Sequence, residues 1–433
     1  MSLDAEAADD LQSYNSEADG LLQPYIVANA FTGTVLVAKD GGVIFEKAYG
    51  LANREWGVPD TLDTKYRIGS MTKQFTATAI LQLAEQGKLS IDDPVSKYYT
   101  NAPASWRKIT IRNLLTHTSG IPDFTNLPDY EKFMPDDTTP LEIIERIRNK
   151  PLDFPPGTKF AYDNTGYVVL GYVIEEVSGE SYADYIQQHI FAPLEMKDSG
   201  YDKPDPIIRK RAAGYYWRKG QWHRPPYISM TVPFAAGGLY STVGDLLIWD
   251  QALYSGKLLS AASLKEMFTP YKSDYGFGWV IAKFSGHNSI WHNGEVNGFH
   301  SMILRFPNEH LTVIALSNDQ LAAVERMSSD LAGLYFYDTG VKTPEAKLSS
   351  AALDAYVGQY KPAKGPLLTV ARDGDGLTVA GANPPHRMYA ISDVRFTLRT
   401  LPIEVRFTRD ANGKIAALTI ESDGQSTSAA RVQ

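Results

Sequence analysis

Residues 66–89 read YRIGSMTKQFTATAILQLAEQGKL, and one side chain among them is out of keeping with the rest. From Ser70 to Gln86 every residue is small, apolar or uncharged polar, except Lys73 near the start and Glu85 near the end. The spacing predicts one helix, with Gly87 as its C′ stop. A helix without a polar face is a buried helix, and a lysine inside it is costly unless its surroundings compensate. Residues three apart share a helical face, so the Lys73 amine is within reach of the Ser70 hydroxyl, and Gly69 permits close backbone approach. An ordinary lysine, pKa near ~10.4, is neutral in only about one molecule in a few thousand at pH 7. Burial and the positive end of a helix both lower that pKa, and a neutral amine beside a serine is a base beside a nucleophile. The plain alternative is a snorkelling lysine next to an N-cap serine; the tetrad alone does not separate the two.

Working outward, residues 33–52 (GTVLVAKDGGVIFEKAYGLA) alternate around Asp40-Gly41-Gly42 and predict a β-hairpin. A long, mostly helical middle follows the Ser70 helix, with helices predicted at 109–115, 165–178 and, after a Ser241-Thr242 cap signal, 242–254. Residues 289–318 return to strand patterning, and a helix over about 319–337 is expected to close the unit. Strands at both ends with helices between them predict one antiparallel sheet built from N- and C-terminal segments, flanked by helices and carrying an inserted helical lobe. Residues 339–352 (TGVKTPEAKLSSAA) have a linker composition. Beyond them, hairpin signals at 373–376 and 410–413 predict a small antiparallel barrel or sandwich over 353–433. The expected organisation is a tag or mature N-terminus at 1–14, an α/β domain of the α+β type at 15–338, the linker at 339–352 and the β domain at 353–433.

With 433 residues, 43% hydrophobic and 21% charged, the chain has an ordinary globular composition. A formal net charge of -8, with no basic run, argues against a nucleic-acid or anionic-membrane partner. No apolar stretch reaches the roughly 18 residues of a membrane span. The absence of cysteine excludes disulfides and thiolate metal sites. It also fits an exported bacterial protein, periplasmic or secreted, whose signal peptide is absent from the sequence given.

What turns the Ser70–Lys73 pair toward chemistry is its company. Tyr162-Asp163-Asn164 follows FPPGTKFA and precedes a helix, and His292-Asn293-Gly294 lies on a predicted strand before a glycine-containing turn. With these in order, the sequence resembles the serine β-lactamase and penicillin-binding protein superfamily, for which Ser-x-x-Lys, Ser-Asp-Asn and Lys-Thr-Gly are the motif set. It is most similar to the class C β-lactamase-like branch, which includes D,D-carboxypeptidases, D-aminopeptidases and carboxylesterases; there the second motif is Tyr-x-Asn and the third can be His-x-Gly. LLTHTSGIP at 114–122, FPPGTKFAYDNTGYVVLG at 154–171 and AAGGLYSTVGDLLIW at 235–249 extend the likeness over residues 15–338. The resemblance implies Ser70 as nucleophile, with Lys73 and Tyr162 sharing base and acid duty. It further implies Asn164 as a hydrogen-bond partner of the substrate and His292 where the family more often has lysine. The backbone N–H groups of Ser70 and of Glu295, just after Gly294, would form an oxyanion hole. A histidine at 292 is mostly neutral above ~6.5, so activity is expected to vary with pH between about 6 and 8.

Among the eight histidines no pair has helical zinc-ligand spacing, and there is no Gly-x-Ser-x-Gly elbow, so neither a zinc hydrolase nor an α/β-hydrolase is expected. No cofactor or metal is called for. The expected activity is acyl transfer to water through a Ser70 acyl-enzyme, on D-amino-acid peptides or amides. A carboxylesterase or β-lactamase on the same site, and a non-catalytic penicillin-binding sensor or assembly protein, are the alternatives. The C-terminal segment resembles the lipocalin-like domain appended to some relatives. Oligomeric state is not readable from the sequence.

Overall fold

The hairpin at residues 33–49 sets the sheet. Gly33–Lys39 pairs with Gly42–Tyr49 across Asp40 (φ 51) and Gly41 (φ 77), two successive left-handed residues that match the twist of the flanking strands. In this computed structural model, which describes residues 3–203, 205–338, 346, 348–374, 376–381, 385–398, 403–422 and 425–432, the hairpin joins a six-stranded antiparallel sheet. Its order is Val280–Phe284, His287–Val296, Phe299–Phe306, Leu311–Ser317, Gly33–Lys39, Gly42–Tyr49. The N-terminal hairpin therefore docks on the C-terminal strand Leu311–Ser317, with Val35 opposite Ala315 and Val37 opposite Val313. All seven residues of that inner strand are buried, which is why LTVIALS reads as nearly continuous apolar sequence.

The helical lobe lies between Tyr49 and Val280. Its centre is the Thr72–Glu85 helix, buried from Thr72 to Leu83, as a helix without a polar face requires. Phe75 packs on Phe191 and Trp249, with ring centroids 5.4 and 4.4 Å away; burying such a side chain contributes about 1.5–3 kcal/mol. Several of the polar residues inside find buried partners. Trp249 Nε1 donates to Gln74 Oε1 (2.9 Å), and Thr76 Oγ1 donates to the Ala235 carbonyl (2.7 Å). Gln86 caps the helix, and Gly87 follows it at φ +70.

The expected closing helix begins later than its pattern indicates, at Val324 rather than about 319. Asp319 Oδ1 accepts the N–H groups of Leu321 and Trp217, and Asn318 Nδ2 donates to the Leu51 carbonyl. These side-chain contacts favour a turn in place of the first helical turn.

The chain divides into two compact units, residues 30–325 and residues 1–29 with 326–433. In the second unit, Leu3–Val27 forms a helix where the sequence pattern indicates no element. The expected linker lies largely outside the described residues, and its end is a helical turn, Ser350–Asp354, capped by Ser349. Eight antiparallel strands from Gly358–Pro362 to Gln425–Arg431 close into a barrel. Tyr360, Leu377, Phe396, Val405, Phe407 and Leu418 fill its interior, as the small diameter of an eight-stranded barrel allows. Among the described residues no helix is long and apolar enough to cross a membrane, and no group of three or more His, Asp or Glu is placed to hold a metal ion.

Candidate active site

Gly69–Met71 forms a 3₁₀ turn that runs into the Thr72–Glu85 helix, so Ser70 sits in a tightened first turn with Lys73 one turn on. Two close approaches put the third motif beside it. Gly69 has φ +50, and a Cβ there would lie 2.8 Å from the Glu295 nitrogen; a Cβ on Gly294 would lie 1.9 Å from the Ile68 carbonyl oxygen. Only glycine fits at either place. The backbone at Glu295 is thereby held against the turn carrying Ser70, while the Glu295 carboxylate accepts from Gln320 Nε2 (2.8 Å).

Lys73 is fully buried and its nitrogen makes three contacts: Asn164 Oδ1 (2.8 Å), the Ala236 carbonyl oxygen (2.9 Å) and Ser70 Oγ (3.1 Å). Two of these are obligate acceptors. The charged amine donates to all three oxygens; once neutral it has two N–H donors, which the two carbonyls would take, leaving its lone pair for the serine hydroxyl. Burial lowers the Lys73 pKa from its ordinary 10.5 to about 7, although the carboxylates of Asp123 and Asp163 pull it upward. The Tyr162 phenol moves the other way. Burial raises its pKa, the two carboxylates add to the rise, and a hydrogen bond with Ser70 opposes it. Tyr162 is 39% exposed; that opening weakens the burial effect without reversing its direction. Lys73 Nζ lies 4.8 Å from the centre of the Tyr162 ring. The pair thus consists of a weakly basic amine and a protonated phenol on either side of one hydroxyl.

Asn164 starts the Asn164–Ser178 helix, whose N-cap is Asp163. Asp123 Oδ2 accepts from the Asn164 backbone N–H (3.1 Å) and from its Nδ2 (2.9 Å), which turns the carboxamide oxygen toward Lys73 and leaves one N–H for another partner. Asp163 is itself buried. Its Oδ1 accepts from Gly166 N (3.0 Å) and its Oδ2 from Ser119 Oγ (3.2 Å), and burial, reinforced by Asp123, raises its pKa to about 7.

The structure brings Ser70, Lys73, Tyr162 and Asn164 together and sets Gly294 and the Glu295 backbone alongside them, but it revises the expectation for His292. That residue is 2% exposed. Its Nδ1 donates to the Asn293 carbonyl oxygen, and its Nε2 accepts from the Tyr275 hydroxyl (2.9 Å). Burial, aided by the Lys73 charge, lowers its pKa from 6.5 to about 3. Its pKa lies below the pH 6–8 window; the groups shifted to about 7 are Lys73 and Asp163.

Three residues near the site escape a reading of the sequence. Asp123 lies one residue beyond the quoted 114–122 stretch. Tyr275 carries no motif. His117 lies inside the quoted 114–122 stretch without a role of its own, yet it is fully buried, its Nδ1 accepts the Asp163 backbone N–H (3.1 Å), and its ring lies 4.3 Å from that of Tyr162. The adjacency of the Thr-His-Thr-Ser loop to Tyr-Asp-Asn is a three-dimensional fact, with no periodicity to announce it.

Known proteins match most of the chain. The Beta-lactamase family model matches residues 19–334, and a domain of unknown function, DUF3471, matches residues 342–431. Penicillin-binding protein 4* of Bacillus subtilis (strain 168) is 30% identical over 439 residues, covering 93% of this chain and 95% of its own length. The octameric penicillin-binding protein homologue from Pyrococcus abyssi superposes with a TM-score of 0.67 at 27% identity, over 96% of this chain and 99% of that one. A D-stereospecific amidohydrolase from Streptomyces sp. gives a TM-score of 0.64 at 27% identity, over 75% and 99%.

Proposed function

Because this chain belongs to the β-lactamase family, the superfamily of serine β-lactamases and penicillin-binding proteins, we propose that it hydrolyses amides or peptides of D-amino acids through an acyl-enzyme on Ser70. The observation that carries the reading is the Lys73 nitrogen, whose two carbonyl partners leave its lone pair for the Ser70 hydroxyl. In this scheme Lys73 takes the Ser70 proton as Oγ bonds to the substrate carbonyl carbon. The N–H groups of Ser70 and Glu295 receive the oxyanion. Tyr162, protonated, donates to the departing amine and is reprotonated from Lys73. The free N–H of Asn164 binds the substrate carbonyl, and water then releases the acyl group. D-stereochemistry is supported by the likeness to the D-stereospecific amidohydrolase.

The test is to quench the enzyme with D-alanyl p-nitroanilide or benzylpenicillin and map the adduct by mass spectrometry. A mass increase confined to the peptide bearing Ser70 is expected; turnover without it, or modification elsewhere, overturns the reading.

The pH dependence is assignable by substitution. Lys73 is active when neutral, so activity rises with pH through about 7. The Asp163 carboxylate favours the charged amine, so Asp163→Asn, which preserves an N-cap, is expected to move that limb to lower pH. His292→Gln is expected to leave it in place. The pH profiles of kcat/KM check both; a limb that disappears with His292 would reassign it.

A further inference from the structure

An arginine-lined cavity lies near the turn that carries Ser70. The cavity, of about 480 Å³, is lined by, among others, Arg67, Arg211, Arg224, Tyr227, Asn297 and Phe299. It begins close to Ser70 on two elements. Arg67 is three residues before the serine, a chain distance of at most ~10 Å, and Asn297 is two residues after Glu295.

Its charges do not balance. Arg67 Nε and Arg211 Nη1 share one buried carboxylate, Asp202, at 2.6 and 2.5 Å. Arg224 pairs with Glu55 (2.5 Å). Three guanidiniums against two carboxylates leave one positive charge, and the Arg211 and Arg224 side chains are 38% and 76% exposed. Arg67 is backed by the Phe299 ring at 5.8 Å, and Asn297 Nδ2 is fixed on the Pro226 carbonyl (2.9 Å), so this wall is already ordered. Tyr227, 60% exposed, offers an aromatic edge beside the arginines.

Strand direction decides which half of a substrate reaches it. Along His287–Val296, Tyr162 lies at the His292 end, ring centroids 6.3 Å apart. The cavity lies past the Glu295 end. The group that protonates the leaving amine is therefore at one end, and the acyl substituent must extend toward the other.

We propose that this cavity receives a carboxylate carried on the acyl side of the substrate, held by Arg211 and Arg224 in front of Arg67. The inference rests on the hydrolytic reading of Ser70. Guanidinium forks match carboxylate geometry, and a partly desolvated charge pair at a recognition site discriminates strongly against a neutral analogue.

The experiment compares N-succinyl-D-alanine p-nitroanilide with its N-acetyl counterpart. Wild type is expected to favour the succinyl substrate in kcat/KM by about tenfold or more at low salt, with the preference shrinking as salt is raised. In Arg211→Gln/Arg224→Gln the ratio should fall to about one, while the control Arg146→Gln, a surface arginine elsewhere, retains it. No preference in wild type, or a preference that survives the double substitution, overturns the proposal. If the enzyme turns over neither of these nor D-alanyl p-nitroanilide, the hydrolytic reading fails; if it turns over only the last, the cavity is still tested by binding. Calorimetry with N-succinyl-D-alanine amide then decides the cavity by itself: binding about tenfold weaker in the double variant upholds it, and equal binding refutes it.

Discussion

Replacing Lys73 with methionine is expected to slow acylation of Ser70 by roughly 10³-fold on amides and esters alike. Methionine nearly matches the length of the lysine stem and removes only the base. The accompanying change in pH profile is as informative as the rate. Wild-type kcat/KM should rise as the amine loses its proton, through about pH 7, and the variant should show no such rise. The limb belongs to the Lys73–Asp163 pair, both pushed to about 7, and is a property of the coupled groups.

Stability is expected to move little, which keeps the result interpretable. The unfolded chain binds the lysine proton more tightly than the folded one, so the fold bears the full cost below about pH 7 and recovers it as pH rises toward 10.5. At about 1.36 kcal/mol per unit, that cost is about 5 kcal/mol below pH 7. Methionine removes it but leaves the Asn164 and Ala236 carbonyls without a donor, at about 1–3 kcal/mol each, so the two effects oppose one another. A folded Lys73→Met protein, judged by its melting temperature, that acylates at the wild-type rate would eliminate the lysine as base.

Residues 66–89 show the Ser70–Lys73 pair, and only the later Tyr162-Asp163-Asn164 and His292-Asn293-Gly294 stretches point it toward chemistry. A buried helix admits a lysine only with compensation; the three-residue spacing puts Ser70 within reach, but the two carbonyls that hold the amine, on Asn164 and Ala236, come from distant segments. The sheet is legible because its strands keep their period at both ends of the chain. What stays hidden is contact between distant segments. Gly69 and Gly294 look like two of 34 glycines until the fold shows that a Cβ on Gly294 would meet the Ile68 carbonyl oxygen at 1.9 Å. His292 is readable as a histidine in a motif, but its burial depends on Tyr275, seventeen residues away on another segment, and that burial sets its charge. Asp123 escapes for the same reason, since its role is to orient Asn164, forty-one residues later. The late start of the helix at Val324 turns on Asp319 finding Trp217, a partner no local pattern supplies.

Tyr162→Phe is expected to separate acid from base, because the two candidate substrates demand different things of the leaving group. An amine cannot depart as its anion and must gain a proton as the C–N bond breaks; p-nitrophenolate leaves without one. With the Tyr162 pKa raised by burial and by two nearby carboxylates, the phenol holds its proton over the working range and is a donor. Its loss should lower kcat/KM by roughly 10²–10³-fold on D-alanyl amides, and by less than about tenfold on D-alanyl p-nitrophenyl esters, which need only the Lys73 base. If Tyr162 were instead the base, as a phenolate, both substrates would suffer equally and the pH limb would vanish with the ring hydroxyl. The geometry makes the first outcome the physical one. A phenolate beside Asp123 and Asp163 would face two like charges in a buried setting, whereas Lys73, once neutral, would keep both its N–H groups on the Asn164 and Ala236 carbonyls and turn its lone pair to the Ser70 hydroxyl 3.1 Å away.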